Sequence, residues 1–128
     1  MIISESEKEN YYTKIFSSNA VIFSDVTKEK GGNGESFGPH DLLCASFASC
    51  LNITIRMILE HKNIKYDNVI VKVDLDKSDD TKVKFLYNVD ILGDISYEIK
   101  HRVIDIAKKC PVRRTLSKEI EFEIKENL

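Results

Sequence analysis

Residues 38–61, GPHDLLCASFASCLNITIRMILEH, decide how the rest of the chain must be arranged. Pro39 suits the first position of a helix, where a missing N–H costs nothing, and Asp41 falls in the first turn, where the helix dipole favours a carboxylate. The apolar residues that follow keep to no single side: Leu42, Leu43, Phe47, Leu51, Ile53, Ile55, Met57, Ile58 and Leu59 run round the whole circumference. A helix that is apolar all round is normally buried on all sides. Cys50 is embedded in it among the short polar residues Ser46, Ser49, Asn52 and Thr54, so a thiol sits where the rest of the fold must pack. A chain of 128 residues reads as a single domain, 1–128, and is short for enclosing such a helix. The pattern therefore predicts a homodimer whose second copy supplies part of the cover.

Working outward towards the N-terminus, KEKGGNGESFGP holds four of the five glycines and cannot be a regular element. It lacks the Gly-Lys-Ser/Thr ending of a phosphate-binding loop and reads as a connection into the helix. Before it, residues 10–16 and 20–26 alternate aromatic or β-branched residues with polar ones about a Ser17-Ser18-Asn19 break, which predicts two paired strands. Beyond the helix, residues 69–76 and 82–92 alternate in the same way across a polar KSDD turn and predict a half-buried hairpin covered by the helix. Ile95, Ile99, Val103, Ile106 and Ala107 then recur at helical spacing, with Asp94 or Ser96 as N-cap. Pro111 biases Cys110 away from helix, so Cys110 lies at a junction. VRRTLSK suits a short helical turn, and Ile120, Phe122 and Ile124 alternate with charged residues as a final strand. The expected order is β-β-α-β-β-α-β, an α+β domain with a mainly antiparallel sheet and helices packed on one face.

The formal charge of -2 carries no basic excess, which argues against a nucleic-acid partner. No basic start precedes an apolar run, and no uninterrupted apolar run reaches the roughly 18 residues of a membrane span, so a soluble cytoplasmic protein is expected. Cys44, Cys50 and Cys110 show no disulfide framework; in a reducing compartment they are either buried hydrophobes or redox groups. His40 and Cys44 stand four residues apart on the helix, but two ligands do not make a site, and no metal or cofactor is expected.

A thiol reacts as thiolate, so its surroundings decide whether it is chemistry or filling. Mid-helix Cys50 needs an activating group from elsewhere, with Arg56, Arg113 and Arg114 as the nearest candidates in sequence. Cys110, in an N-cap-like position with Lys108, Lys109, Arg113 and Arg114 around it, is expected to favour its thiolate. The pair suggests a peroxidatic and a resolving cysteine; two inert buried thiols are the alternative.

Pro39-x-Asp41-Leu42-Leu43 before Cys50, then Cys110-Pro111-Val112 with Thr115-Leu116 after a second helix, resembles the OsmC/Ohr family of osmotically inducible and organic hydroperoxide resistance proteins. The resemblance implies an OsmC-like fold in an intertwined homodimer, two long central helices packed back to back with the sites at the interface. It implies a peroxidase for small organic hydroperoxides in oxidative stress defence, recycled by a dithiol reductant, with Cys50 attacking and Cys110 resolving. Those peroxidases also use an arginine from the N-terminal strands and a glutamate after the helix-opening proline. Here no arginine precedes Arg56, and His40 and Asp41 follow Pro39. Asp41, His40 and Arg113 are the supporting residues this chain offers. The departures leave open a dimeric OsmC-like protein that binds a small apolar or electrophilic ligand without turnover.

Overall fold

The computed structural model describes all residues from Met1 to Leu128, and the chain divides into two compact units, Met1–Ala45 and Ser46–Leu128. In the first, the expected strand pair forms as β2 (Thr13–Phe16) and β3 (Val21–Ser24), antiparallel with Ile15 opposite Ile22. The Ser17 N–H donates to the Ala20 carbonyl and closes the turn between them. A further strand, β1 (Ile3–Ser6), pairs with the other edge of β2; its ISES sequence has little strand patterning, and the free edge is what recruits it. The glycine-rich connection is tightly turned. It contains one 3-10 turn at Lys28–Lys30 and is tied by a bridge between Ser24 and Phe37.

The long helix α1 (Pro39–His61) has the expected bounds and runs across the division between the units. At its start, Asp41 Oδ2 accepts the Gly38 N–H at 2.8 Å, satisfying a donor that the helix itself leaves free. In the second unit the helix buries one stripe, Phe47, Leu51, Ile55 and Leu59, at four-residue intervals. Burial on every side is not observed within the chain: Ile53 and Met57 are 46% and 64% exposed. By length and composition α1 is apolar enough to cross a membrane, a property that interrupting serines and Asn52 hide from a search for unbroken apolar runs. Its buried stripe nevertheless packs as a core helix does.

The stripe meets β4 (Asn68–Asp76) and β5 (Lys84–Leu92), an antiparallel hairpin in which Val69 faces Ile91 and Val73 faces Tyr87. Asn52 Nδ2 donates to the Val69 carbonyl at 2.8 Å and fixes the helix along the strand. Helix α2 (Tyr97–Ala107) is capped by Ser96, whose hydroxyl accepts the Ile99 N–H, and adds Val103 and Ala107 to the same core. A short helix, α3 (Pro111–Leu116), follows.

The α+β class therefore stands, but the order is β-β-β-α-β-β-α-α, with two separate antiparallel sheets. The expected last strand is absent. Residues 119–125 form no ladder, and Phe122 and Ile124 are 96% and 97% exposed. Alternation prepares a strand face, but a strand exists only by pairing, and this segment has no partner within its own chain.

Candidate functional site

The site is built where α1 meets the junction of α2 and α3. Helix α2 gives out at Ala107, whose carbonyl accepts the Cys110 N–H at 2.9 Å. Pro111 cannot extend that helix but suits the first position of a new one. Cys110 thus becomes the N-cap of α3, and its carbonyl accepts the Arg114 N–H. This turn brings Val112 over α1, where its N–H donates to Cys50 Sγ at 3.5 Å. Two thiols sixty residues apart in sequence are brought together, and no cysteine is in a disulfide.

Their surroundings differ. Cys110 is buried, 1% exposed, whereas Cys50 is half-buried. Burial pushes the Cys110 thiol above its ordinary value; the Arg113 backbone N–H and guanidinium pull the other way, while the hydrogen bond to Cys50 favours the neutral S–H. The expected Cys110 thiolate is therefore corrected: desolvation outweighs the cations. One of those cations is also engaged elsewhere, since Lys108 Nζ lies 2.7 Å from Asp105 Oδ1.

One helical turn before Cys50, Phe47 stands edge-on to both Phe85 and Tyr87, with ring centroids 5.7 and 5.3 Å away. These rings, with Val83, Leu116, Ser117 and Arg113, line a cavity of about 260 Å³. Arg113 is its only charged wall, and Nη1 donates to Tyr87 Oη at 3.3 Å. Phe85 and Tyr87 alternate with polar residues along β5, and the sequence reads them simply as core. Only the bend at Pro111, which lays α3 beside β5, turns them into cavity wall.

Of the other candidates, Asp41 is engaged in capping α1, and His40 is exposed at the same helix opening. Cys44 is half-buried in the first unit. No group of three His, Cys, Asp or Glu side chains comes together in a metal-holding arrangement.

The family model for OsmC-like proteins matches residues 32–125, which takes in α1, both cysteines and the junction. The chain belongs to the OsmC family. No curated protein matches it in sequence. Among solved structures, an osmotic stress induced and detoxification response protein from Psychrobacter arcticus is 23% identical, with a TM-score of 0.73 over 88% of this chain and 85% of that one. An OsmC-like protein from Mycoplasma pneumoniae is 20% identical, with a TM-score of 0.76 over 91% and 85%. An organic hydroperoxide resistance protein from Legionella pneumophila is 17% identical, with a TM-score of 0.65 over 91% and 88%. At these identities the likeness establishes a shared OsmC fold.

Proposed function

We propose that this OsmC-family protein is a thiol-dependent peroxidase for organic hydroperoxides, with Cys50 as attacking and Cys110 as resolving cysteine. The observation that carries this reading is the meeting of the two thiols in unequal surroundings. Cys50 is half-buried and takes an N–H from Val112, while Cys110 is buried beside it and pushed towards its neutral form. A Cys50 thiolate attacks the peroxide, the O–O bond breaks, and Cys50 becomes sulfenic acid as the alcohol departs. Cys110 then condenses with it, releasing water and leaving a disulfide that an external dithiol reduces. Arg113 supports Cys50 from α3, and Asp41 and His40 hold the opening of α1.

The protein acts in the cytoplasm, as one domain per subunit, in an intertwined homodimer. Exposed Ile53 and Met57 on α1, together with the unpaired apolar alternation of Phe122 and Ile124, support a second copy as their cover. The resistance protein among the structural neighbours supports the substrate class.

Treating the reduced protein with one equivalent of cumene hydroperoxide and mapping its cysteines by mass spectrometry tests the reading. A loss of two hydrogens located in a Cys50–Cys110 bond is expected, and Cys50→Ser consumes no peroxide. The lack of any arginine before Arg56 favours one other reading, a dimeric protein that binds a small apolar or electrophilic ligand without turnover. Unchanged thiols after peroxide, with stoichiometric alkylation of Cys50, would establish that alternative.

A further inference from the structure

The peroxidase chemistry leaves one requirement unmet. When the O–O bond breaks, the departing oxygen carries off the electron pair as an alkoxide, a strong base that needs a proton. Neither thiol of the pair offers a suitable donor: Cys50 forms the new S–O bond, and Cys110 keeps its proton for the condensation. The source must lie on the far side of the peroxide from sulfur. Reacting atoms close to about 3–3.5 Å before attack, and the leaving oxygen stands one bond beyond. Phe47, one turn before Cys50 on α1, and Arg113, next to the Val112 whose N–H reaches Cys50 Sγ, join this sulfur to the wall of the cavity.

Two hydroxyls line this cavity, and Ser117 spends its own on the Arg113 carbonyl, which leaves that of Tyr87. Its ring packs edge-on to Phe47, and it lines the cavity that would take the organic group. Its oxygen accepts from Arg113 Nη1, which occupies a lone pair and leaves the O–H free to donate elsewhere. A phenolate formed at this oxygen would remain hydrogen-bonded to a planar guanidinium of opposite charge.

We infer that Tyr87, held by Arg113, is the general acid that protonates the leaving alkoxide. This inference rests on the peroxidase reading. Cys50 sulfur forms the S–O bond, the O–O bond breaks, the Tyr87 proton passes to the alkoxide to give the alcohol, and the phenolate recovers a proton from water. Arg113 acts here as the positioning residue, through Tyr87.

The test compares two oxidants that differ in what they leave behind. Cumene hydroperoxide expels a strongly basic alkoxide, whereas peracetic acid expels a carboxylate that needs no proton. Stopped-flow oxidation of Cys50 gives a rate constant for each, and their ratio is the readout. Tyr87→Phe keeps the ring against Phe47 and is expected to lower the cumene hydroperoxide to peracetic acid ratio about 100-fold, the low end of what a positioned acid contributes. Arg113→Gln moves the ratio the same way by less, and decides the matter should the tyrosine variant not fold. A loss of rate shared equally by both oxidants, or no loss at all, overturns the role of Tyr87 while leaving Cys50 as the peroxidatic residue. Wild-type Cys50 left reduced by both oxidants overturns the peroxidase reading and Tyr87 with it.

Discussion

Asp25, before the glycine-rich turn, and Cys110, at the mouth of α3, both place an acidic side chain beside backbone N–H groups, and they end in opposite states. Asp25 is 2% exposed, yet its carboxyl lies below the ordinary value: burial pushes it up, but the N–H groups of Val26, Asn33, Gly34 and Glu35 outweigh that. Cys110 is just as buried and lies above its ordinary value, because the Arg113 backbone N–H and guanidinium do not offset desolvation and the hydrogen bond to Cys50. The number of aimed donors decides which form burial preserves. Around Asp25 the chain wraps a loop to supply them. Around Cys110 the next free donor, from Val112, is spent on Cys50 instead.

The largest effect is expected from the sulfur side of this comparison. If Cys110 serves only to resolve, Cys110→Ser should lose steady-state peroxide turnover altogether while keeping a burst of one equivalent per subunit at Cys50. Rapid-mixing kinetics with dithiol present separates the two phases. A burst lost along with turnover would make Cys110 the attacking thiol and reverse the assignment drawn from burial.

On the carboxylate side, the wrapping can be broken without touching the acid. A Cβ on Gly32 would stand 2.3 Å from Asp25 Oδ1 and 2.3 Å from the Val26 carbonyl oxygen, and the second of these is backbone that cannot swing aside. Gly32→Ala should therefore destabilise the protein by about 1–3 kcal/mol, the usual scale of forced overpacking, read as a lower midpoint in urea with unchanged slope. An unchanged midpoint would mean the loop opens at no cost and that Asp25 is not held as described.

These two regions were unequally legible in the sequence. Pro39, Pro111 and the spacing of apolar residues marked α1, α2 and α3 because each signal acts within a few residues of the element it sets. The Asp25 anchorage left no periodic trace: one aspartate eight residues before Asn33 looks like any loop acid until the chain has closed on it. The cavity shared that fate, since Phe85 and Tyr87 carry the same alternation whether they face core or ligand. The final strand failed for a related reason. Ile120, Phe122 and Ile124 specify a face, while pairing requires an edge that the rest of the chain must supply. The Cys110 reading failed in sign because nearby charges are visible in sequence, whereas burial emerges only when α2 and α3 meet.

Acid titration sharpens the Asp25 half. Its carboxyl is depressed in the folded protein, so its stabilisation is complete above the ordinary value of 3.8 and is lost as pH falls through that value towards the folded one. Asp25→Asn has no such proton to take up, and its amide group turns a donor towards the Asn33 or Val26 side of the loop. Its melting temperature should lie below that of wild type at neutral pH, and the gap should narrow once pH drops below about 3.8. Glu29, Asp76, Asp79 and Asp105 are also depressed and titrate in both proteins, so they cancel in the difference. A gap constant from pH 7 to pH 2 would separate the anchorage from charge.

The smallest expected effect lies at the alkaline end and has the opposite sign. Cys110 is raised in the folded state, so its stabilisation is complete below the ordinary thiol value of 9.0 and is lost as pH rises from there towards the folded value, the unfolded chain releasing its proton first. Cys110→Ala removes that proton along with a buried sulfur. It should be less stable than wild type at pH 7, with the gap narrowing once pH rises above about 9.0. Thermal melts of both proteins in reducing buffer give the comparison, and groups present in both chains cancel in the difference. A gap that widens with pH would mean that the Arg113 N–H and guanidinium stabilise a Cys110 thiolate after all. The two regions would then differ only in which atom they charge, and the division of labour between Cys50 and Cys110 would rest on access alone.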